Sequence, residues 1–371
     1  MIVSKIYHSS PHLVKKKLKS IEKAFEPISI NKFIVLEVND IRWSAIVNKS
    51  KQFDFYHTRE YHLFEKGNNR PVLLVAFFNN DFIALPLIVR EIPNTNLFDC
   101  TSVYGYCGLI SSIDIGDIPS EKIKYFKKQL LDFFENNAII SVFLRLHPLI
   151  SMEDFFNDFG VIKHINKTVA IDLRLSPEEQ RTQYRRSFKF QLNQLRRNGF
   201  EVVNSQTKDD INAFIDIYHE SMKRVGASEK YFFGNNYFYA FLENKGFESK
   251  LLLAKKDGEI VAGAIITITN NIMQYHLAGT AEAHLKERPM KLVIDEARLL
   301  GNKFGVNFFH LGGGVGGSDD DSLFYFKSGF SDYRCEYKVW QMIVDSEKYN
   351  ELVGELTVDV NNAFFPLYRF E

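Results

Sequence analysis

LLVAFFNNDFIALPLIV, Leu73 to Val89, and LLLAKKDGEIVAGAIIT, Leu251 to Thr267, lie 178 positions apart and carry one pattern. Each reads as an apolar strand, a two-residue turn and a second apolar strand. Asn79-Asn80 and Asp257-Gly258 fall at the turns, and Asn, Asp and Gly tolerate the positive φ that a two-residue hairpin needs. Two antiparallel hairpins are therefore expected.

The match extends outward from both hairpins. Upstream, TREYHLFEKG and NYFYAFLENKG read as aromatic helices, with Tyr61 on Tyr239 and Glu65 on Glu243 at the same offset. Downstream, SEKIKYFKKQLLDFFENN runs into AIISVFLRL, and KLVIDEARLLGNKFG into VNFFHLGG, a helix then a strand each time. A short aromatic helix and a last strand follow, DFFNDFG with TVAIDLRL and DSLFYFKSGF with KVWQMIVD. Agreement in order over about 110 residues argues for a tandem duplication.

The second copy is expected to open at Ser176-Pro177-Glu178-Glu179, which has an N-cap serine, proline at the first helical position and glutamate at N3. Thr207, with Asp210 three residues on, starts a further helix. The division predicted is an N-terminal extension at 1–38, a first domain at 39–175 and a second at 176–371. KKKLKSIEKAF in the extension reads as a solvated amphipathic helix.

Length agrees, since one core rarely grows past about 250–300 residues and this chain has 371, of which 45% are hydrophobic. Its 46 basic and 46 acidic residues cancel, so no global field draws it to nucleic acid or an anionic membrane. The start of the chain lacks a secretory apolar segment, and the longest apolar run, Val72 to Phe78, falls short of the roughly 20 residues a membrane helix needs, so a cytoplasmic protein is expected. Cys100, Cys107 and Cys335 form neither a CxxC pair nor an even set, and are expected as buried thiols without metal.

Two helices, an antiparallel hairpin, a third helix, a strand, a short helix and a last strand is an order that resembles the GNAT acyltransferase fold. The fold class expected is thus α/β (α+β), two tandem GNAT-like domains, each a mixed, mostly antiparallel sheet flanked by helices. The resemblance implies that two central strands splay around the donor thioester and that the third helix turns its N-terminus to the donor's pyrophosphate, as the free N–H groups there favour. AEAHLKERPMKLVIDEARLL lacks the glycine-rich loop usual before that helix, leaving Lys286, Arg288 and Lys291 as phosphate-binding candidates or as solvated charges.

Three segments resemble the Fem-type branch of this superfamily, FemAB/FemX-like and BioF2-like enzymes that include peptidoglycan-bridge aminoacyltransferases. They are FYHTREYH (55–62) with DCTSVYGYCGLISS (99–112), RRSFKFQLNQLRRNGFEV (185–202) and FFHLGGGVGGSDDDSLFYFKSGFS (308–331). Gly312, Gly313 and Gly314, with Gly316 and Gly317, let the backbone turn sharply beside a substrate after a strand. The resemblance implies a cation near the reaction centre at Lys327, where it would steady the oxyanion or handle a proton; otherwise Lys327 snorkels from an aromatic helix. Asp319, Asp320 and Asp321 read as caps of that helix. His310 is the candidate general base, whereas His57 and His62 read as structural.

Tyr104 and Tyr106, alternating on an expected strand, would form an aromatic wall for sugar or peptide, or ordinary core. A helix from Arg181 to Arg197 carries six basic residues and no acid. By the resemblance, Arg185 and Arg186 there would grip phosphates of the acceptor or of a donor tRNA; the alternative is a solvated face.

The expected activity is transfer of an acyl group to an amine of a cell-envelope glycan intermediate, by direct attack and without an acyl-enzyme, because no nucleophile motif is visible. Acyl-CoA is the preferred cosubstrate, no cofactor is bound permanently, and the acceptor is a nucleotide- or lipid-linked amino sugar. The alternatives are aminoacyl transfer from tRNA and a non-catalytic sugar- or nucleotide-binding protein. RLHP in the first copy, where the second has HLGGG, predicts a first domain without its own donor site, shaping the acceptor side.

Overall fold

The computed structural model describes residues 28–150, 152–314, 321–354 and 364–370. Both hairpins form as expected. β2 (Arg70–Asn79) turns into β3 (Asp81–Glu91), and β9 (Glu248–Lys256) into β10 (Glu259–Thr269), with positive φ at Asn79, Asp257 and Gly258. Both strands of the first hairpin are buried along nearly their whole length, which is why they read as continuous apolar runs.

Two compact units emerge, one of 1–163 with 339–371 and one of 164–338. The first has the sheet order β1 (Ile28–Glu37), β2, β3, β4 (Phe98–Thr101), β6 (Ile139–Arg145), and is completed by Val339–Ile343 of β13 (Arg334–Ile343); the short β5 (Ile110–Ser111) pairs with β3. The second has the order β8 (Glu201–Asn204), β9, β10, β11 (Ile272–Thr280), β12 (Phe308–Gly312), completed by the 164–172 part of β7 (Val161–Asp172). Each copy of the repeat therefore supplies the last strand of the other unit. That exchange is why the units differ from the divisions at 39–175 and 176–371. β1 also lies inside the span expected as an extension, where it pairs antiparallel with β2. The helix expected over KKKLKSIEKAF lies outside the described residues, as do Gly316, Gly317, Asp319 and Asp320.

Within each unit the element order repeats: strand, helix, helix, hairpin, a third strand, helix, strand, short helix. Ser176 caps the helix Pro177–Thr182 in a capping box with Glu179, and Thr207 caps Lys208–Arg224. Such a cap contributes about 1 kcal/mol. Two local expectations fail. The basic helix is broken into Pro177–Thr182 and Arg186–Arg197, because Tyr184 turns inward to donate to Asp295 (2.9 Å) and the Arg185 N–H donates to Gly329 (2.9 Å). Arg181 thus does not share a helical face with Arg185. Tyr104 and Tyr106 sit in a loop, not on a strand, since Gly105 has φ 112°.

The three cysteines are buried and free. Among the described residues no helix is long and apolar enough to cross a membrane.

Candidate active site

In the second unit β11 and β12 run parallel, but only Ile272, Met273 and Gln274 pair, with Phe308, Phe309 and His310. Beyond Gln274, β11 bulges: Ile266 faces Tyr275 and Ile265 faces Leu277, so His276 is the extra residue. A bulge bends its strand and re-aims its groups. On the other side β12 turns away at Gly312, whose φ of 80° suits glycine. The two strands thus part into a wedge between Tyr275–Thr280 and Leu311–Gly314.

Lys327 reaches this wedge. It ends the helix Ser322–Lys327, its side chain is buried, and its Nζ donates to the Gly313 carbonyl at 2.7 Å and lies 5.9 Å from the Tyr275 ring centre. Burial lowers its pKa to about 8, with nearby Asp321 opposing the shift. Asp321 caps the helix through the Phe324 N–H (2.7 Å), and a Cβ on Gly314 would come within 2.3 Å of its Oδ1. Close backbone approach therefore explains Gly314.

RRSFKF and FKSGF interlock. Phe188 packs on Phe330 (5.1 Å between centres) and Phe326 (6.0 Å), and a Cβ on Gly329 would lie 2.4 Å from the Phe188 ring. The Arg185 guanidinium lies 3.8 Å from the Tyr325 ring centre and donates to the Tyr325 carbonyl and to Ser328, both at 3.3 Å. Arg185 thus fixes the helix that carries Lys327. Arg186 is exposed.

The other basic residues divide by partner. Arg196 (2.8 Å) and Arg298 (3.0 Å) bind the buried Asp295 carboxylate, and Arg181 lies 3.4 Å from it. Burial alone would push Asp295 up, but these cations and Tyr184 hold it below the usual carboxylate range. This cluster ties Arg186–Arg197 to the helix Met290–Phe304. Lys291 is turned inward, where its Nζ sits 3.6 Å from the Phe188 ring centre and bonds Gln191. Burial first, then repulsion from Arg288 and Arg185, lowers it to about 8. Of the three phosphate candidates, Lys286 and Arg288 are exposed just before Met290–Phe304, Arg288 with φ 59°, while Lys291 lies beneath.

His310 is fully buried with both ring nitrogens engaged, Nδ1 with Gln274 Oε1 and Nε2 with Thr168 Oγ1, each at 2.8 Å. Neither nitrogen is left to receive an amine proton. His276 stacks on Phe241 (4.8 Å), and burial lowers it to about 3, which keeps it neutral. Reading the sequence missed Tyr275, Gln274 and Thr168. They sit among apolar strand residues, and nothing in their spacing marks them.

In the first unit the equivalent wedge is closed. β4 and β6 pair in parallel through Thr101 and Phe143, and past the YGY loop Cys107 bridges to Leu146 in parallel again. FYHTREYH builds the floor of that loop. Tyr61 Oη donates to the Tyr104 carbonyl (2.9 Å), and Tyr106 meets Tyr56 edge-on (5.8 Å). Tyr104 is 45% exposed and does not fill the core. Burial raises the neighbouring Glu65 to about 7, although the Tyr104 N–H and Arg145 act the other way. Asp99 is no open site either: Arg90 (2.7 Å) and Arg369 (2.5 Å) hold it buried. His57 and His62 are buried, as expected of structural residues.

Gly105→Ala should destabilise this loop. With φ 112° and a Cβ 2.0 Å from the Tyr56 ring, the variant is expected to lose about 1–3 kcal/mol, read as a lower Tm in a thermal melt. An unchanged Tm would show that Tyr56 moves aside freely.

Residues 181–328, inside the second unit, match the family described as "Acetyltransferase (GNAT) domain". Among solved structures the chain is similar to FemX, with 11% identity, a TM-score of 0.68 and coverage of 86% of this chain and 99% of that one. It is also similar to L-PGS from Bacillus licheniformis, with 15% identity, a TM-score of 0.53 and coverage of 82% and 92%. A conserved protein of unknown function from Bacteroides thetaiotaomicron matches at 11% identity and a TM-score of 0.54, with coverage of 84% and 100%. Identities this low carry the fold alone. No curated protein matches the chain.

Proposed function

Because the chain is an acyltransferase of the GNAT superfamily with a Fem-like fold, we propose that its second unit moves an acyl group from acyl-CoA to an amine of a cell-envelope glycan intermediate. The observation that carries this reading is the wedge between β11 and β12 with the Lys327 ammonium at its edge. A thioester lying in the wedge would meet that ammonium. The acceptor amine attacks the carbonyl carbon, the C–N bond forms, the C–S bond breaks, and the thiol leaves with a proton. Lys327 steadies the oxyanion between these events, so the protein's contribution is positioning and charge.

Acyl-CoA suits the start of Met290–Phe304, where exposed Lys286 and Arg288 accompany the positive end of a helix dipole. Arg186, exposed at the start of its own helix, is a candidate contact for phosphates of the acceptor. The acceptor is a nucleotide- or lipid-linked amino sugar, and within the first unit the exposed Tyr104 ring suits stacking on a sugar.

The test offers the protein acetyl-CoA and longer acyl-CoAs, and separately aminoacyl-tRNA, with an amino-sugar nucleotide as acceptor. Transfer from CoA, with Arg288→Ala raising donor KM most at low salt, is the expected result. Transfer from tRNA alone would replace the donor, and tight acceptor binding without turnover from either would leave a binding protein.

A further inference from the structure

β12 changes its pairing with both neighbours at one level. Its parallel pairing with β11 ends at Gln274 and His310, and its antiparallel register with β7 shifts between His310 and Gly312. His310 is the last residue before both changes. Phe309 and Leu311 belong to the core beneath Met290–Phe304, so alternation turns the His310 ring to the opposite face. There it spans β12's two neighbours, with Gln274 of β11 on Nδ1 and Thr168 of β7 on Nε2, both at 2.8 Å. The Gln274 oxygen only accepts, so Nδ1 carries the proton and Nε2 takes the Thr168 hydroxyl.

These side chains are all buried, and Met273, Phe309 and Leu311 beside them in the strands belong to the apolar core. Apolar residues would fill such space without a desolvation cost, whereas buried polar groups are retained when their bonds fix one geometry. We propose that Thr168, His310 and Gln274 form a pin that sets where β11 and β12 part, and so the width of the wedge. His310 is then a positioning residue for the transfer, not its base, and Thr168 is lent to the reaction centre by the first copy of the repeat. This inference rests on the acyl-transfer reading.

Four variants of the full chain test it: Thr168→Val and Gln274→Met, which keep shape and remove one bond each, with His310→Gln and His310→Phe. Thr168→Val should lower kcat about tenfold or more while acceptor KM stays within about twofold, since small misplacements in a reaction centre act on kcat. His310→Gln should keep more activity than His310→Phe and leave the pH–rate profile unchanged in shape. Amide hydrogen exchange at 275–280 should speed up in Thr168→Val and Gln274→Met. Wild-type kcat with unchanged exchange in Thr168→Val and Gln274→Met would overturn the pin, and loss of an ionisation in His310→Gln would make His310 the base. If His310→Phe fails to fold, the two isosteric variants decide alone. If the wild type transfers from neither donor, the functional reading falls, and exchange still judges the pin.

Discussion

Lys327→Met should lower kcat by about 10²–10³, the range seen when one oxyanion-stabilising group is removed, with substrate KM nearly unchanged. Among the described residues the one hydrogen bond of Lys327 goes to the Gly313 carbonyl, and Met fills a similar volume. Tm should therefore not fall. Arg should rescue only in part, because a planar fork does not replace a compact ammonium.

The pH dependence follows from the same burial. The folded value is about 8 and the ordinary value 10.5, so kcat should hold below pH 8 and decline as pH rises through it, if the charged form acts. For stability the sign is opposite. Between about pH 8 and 10.5 the unfolded chain binds more protons, so the cost of burying the charge, fully present below 8, is relieved as pH rises. Lys327→Met should remove that rise, while Lys291, shifted the same way, retains its own. A Met variant with full kcat would end Lys327's role.

Cutting the chain between Leu175 and Ser176 should leave two fragments that do not fold separately. Fragment 176–371 loses the β7 strand beside β12, and with it Thr168. Fragment 1–175 loses Val339–Ile343 beside β6, and also Arg369, which together with Arg90 neutralises the buried Asp99. Losing one of the two cations on a buried carboxylate draws on a total stability of only about 5–15 kcal/mol, and each bared strand edge invites aggregation. Neither fragment alone should show a cooperative thermal transition, and co-expression should restore both the transition and activity. A monomeric 176–371 that melts sharply and transfers acyl groups would refute the strand exchange.

The hairpins, caps and helix order were legible because local signals agreed with burial: alternating or continuous apolar runs, Asn-Asn and Asp-Gly turns, and the Ser176 and Thr207 caps. FKSGF was legible as a motif, and its glycine has a cause in Phe188, although 141 positions separate them. Net charge gave no guide to the site, because Arg196 and Arg298 bind Asp295 and Lys291 lies on Phe188.

The sequence by itself determined what depends on neighbours a few residues apart: the duplicated order of elements, the hairpins and their turns, and the glycine-rich end of β12. Tertiary structure alone decided which copy's last strand completes which sheet, that Tyr184 breaks the basic helix, and that His310 is held between Thr168 and Gln274. The reason is physical. Periodicity and capping are written within a turn or a strand, whereas strand partners and buried polar bonds join residues far apart in the chain, and their energies depend on desolvation that no local pattern records.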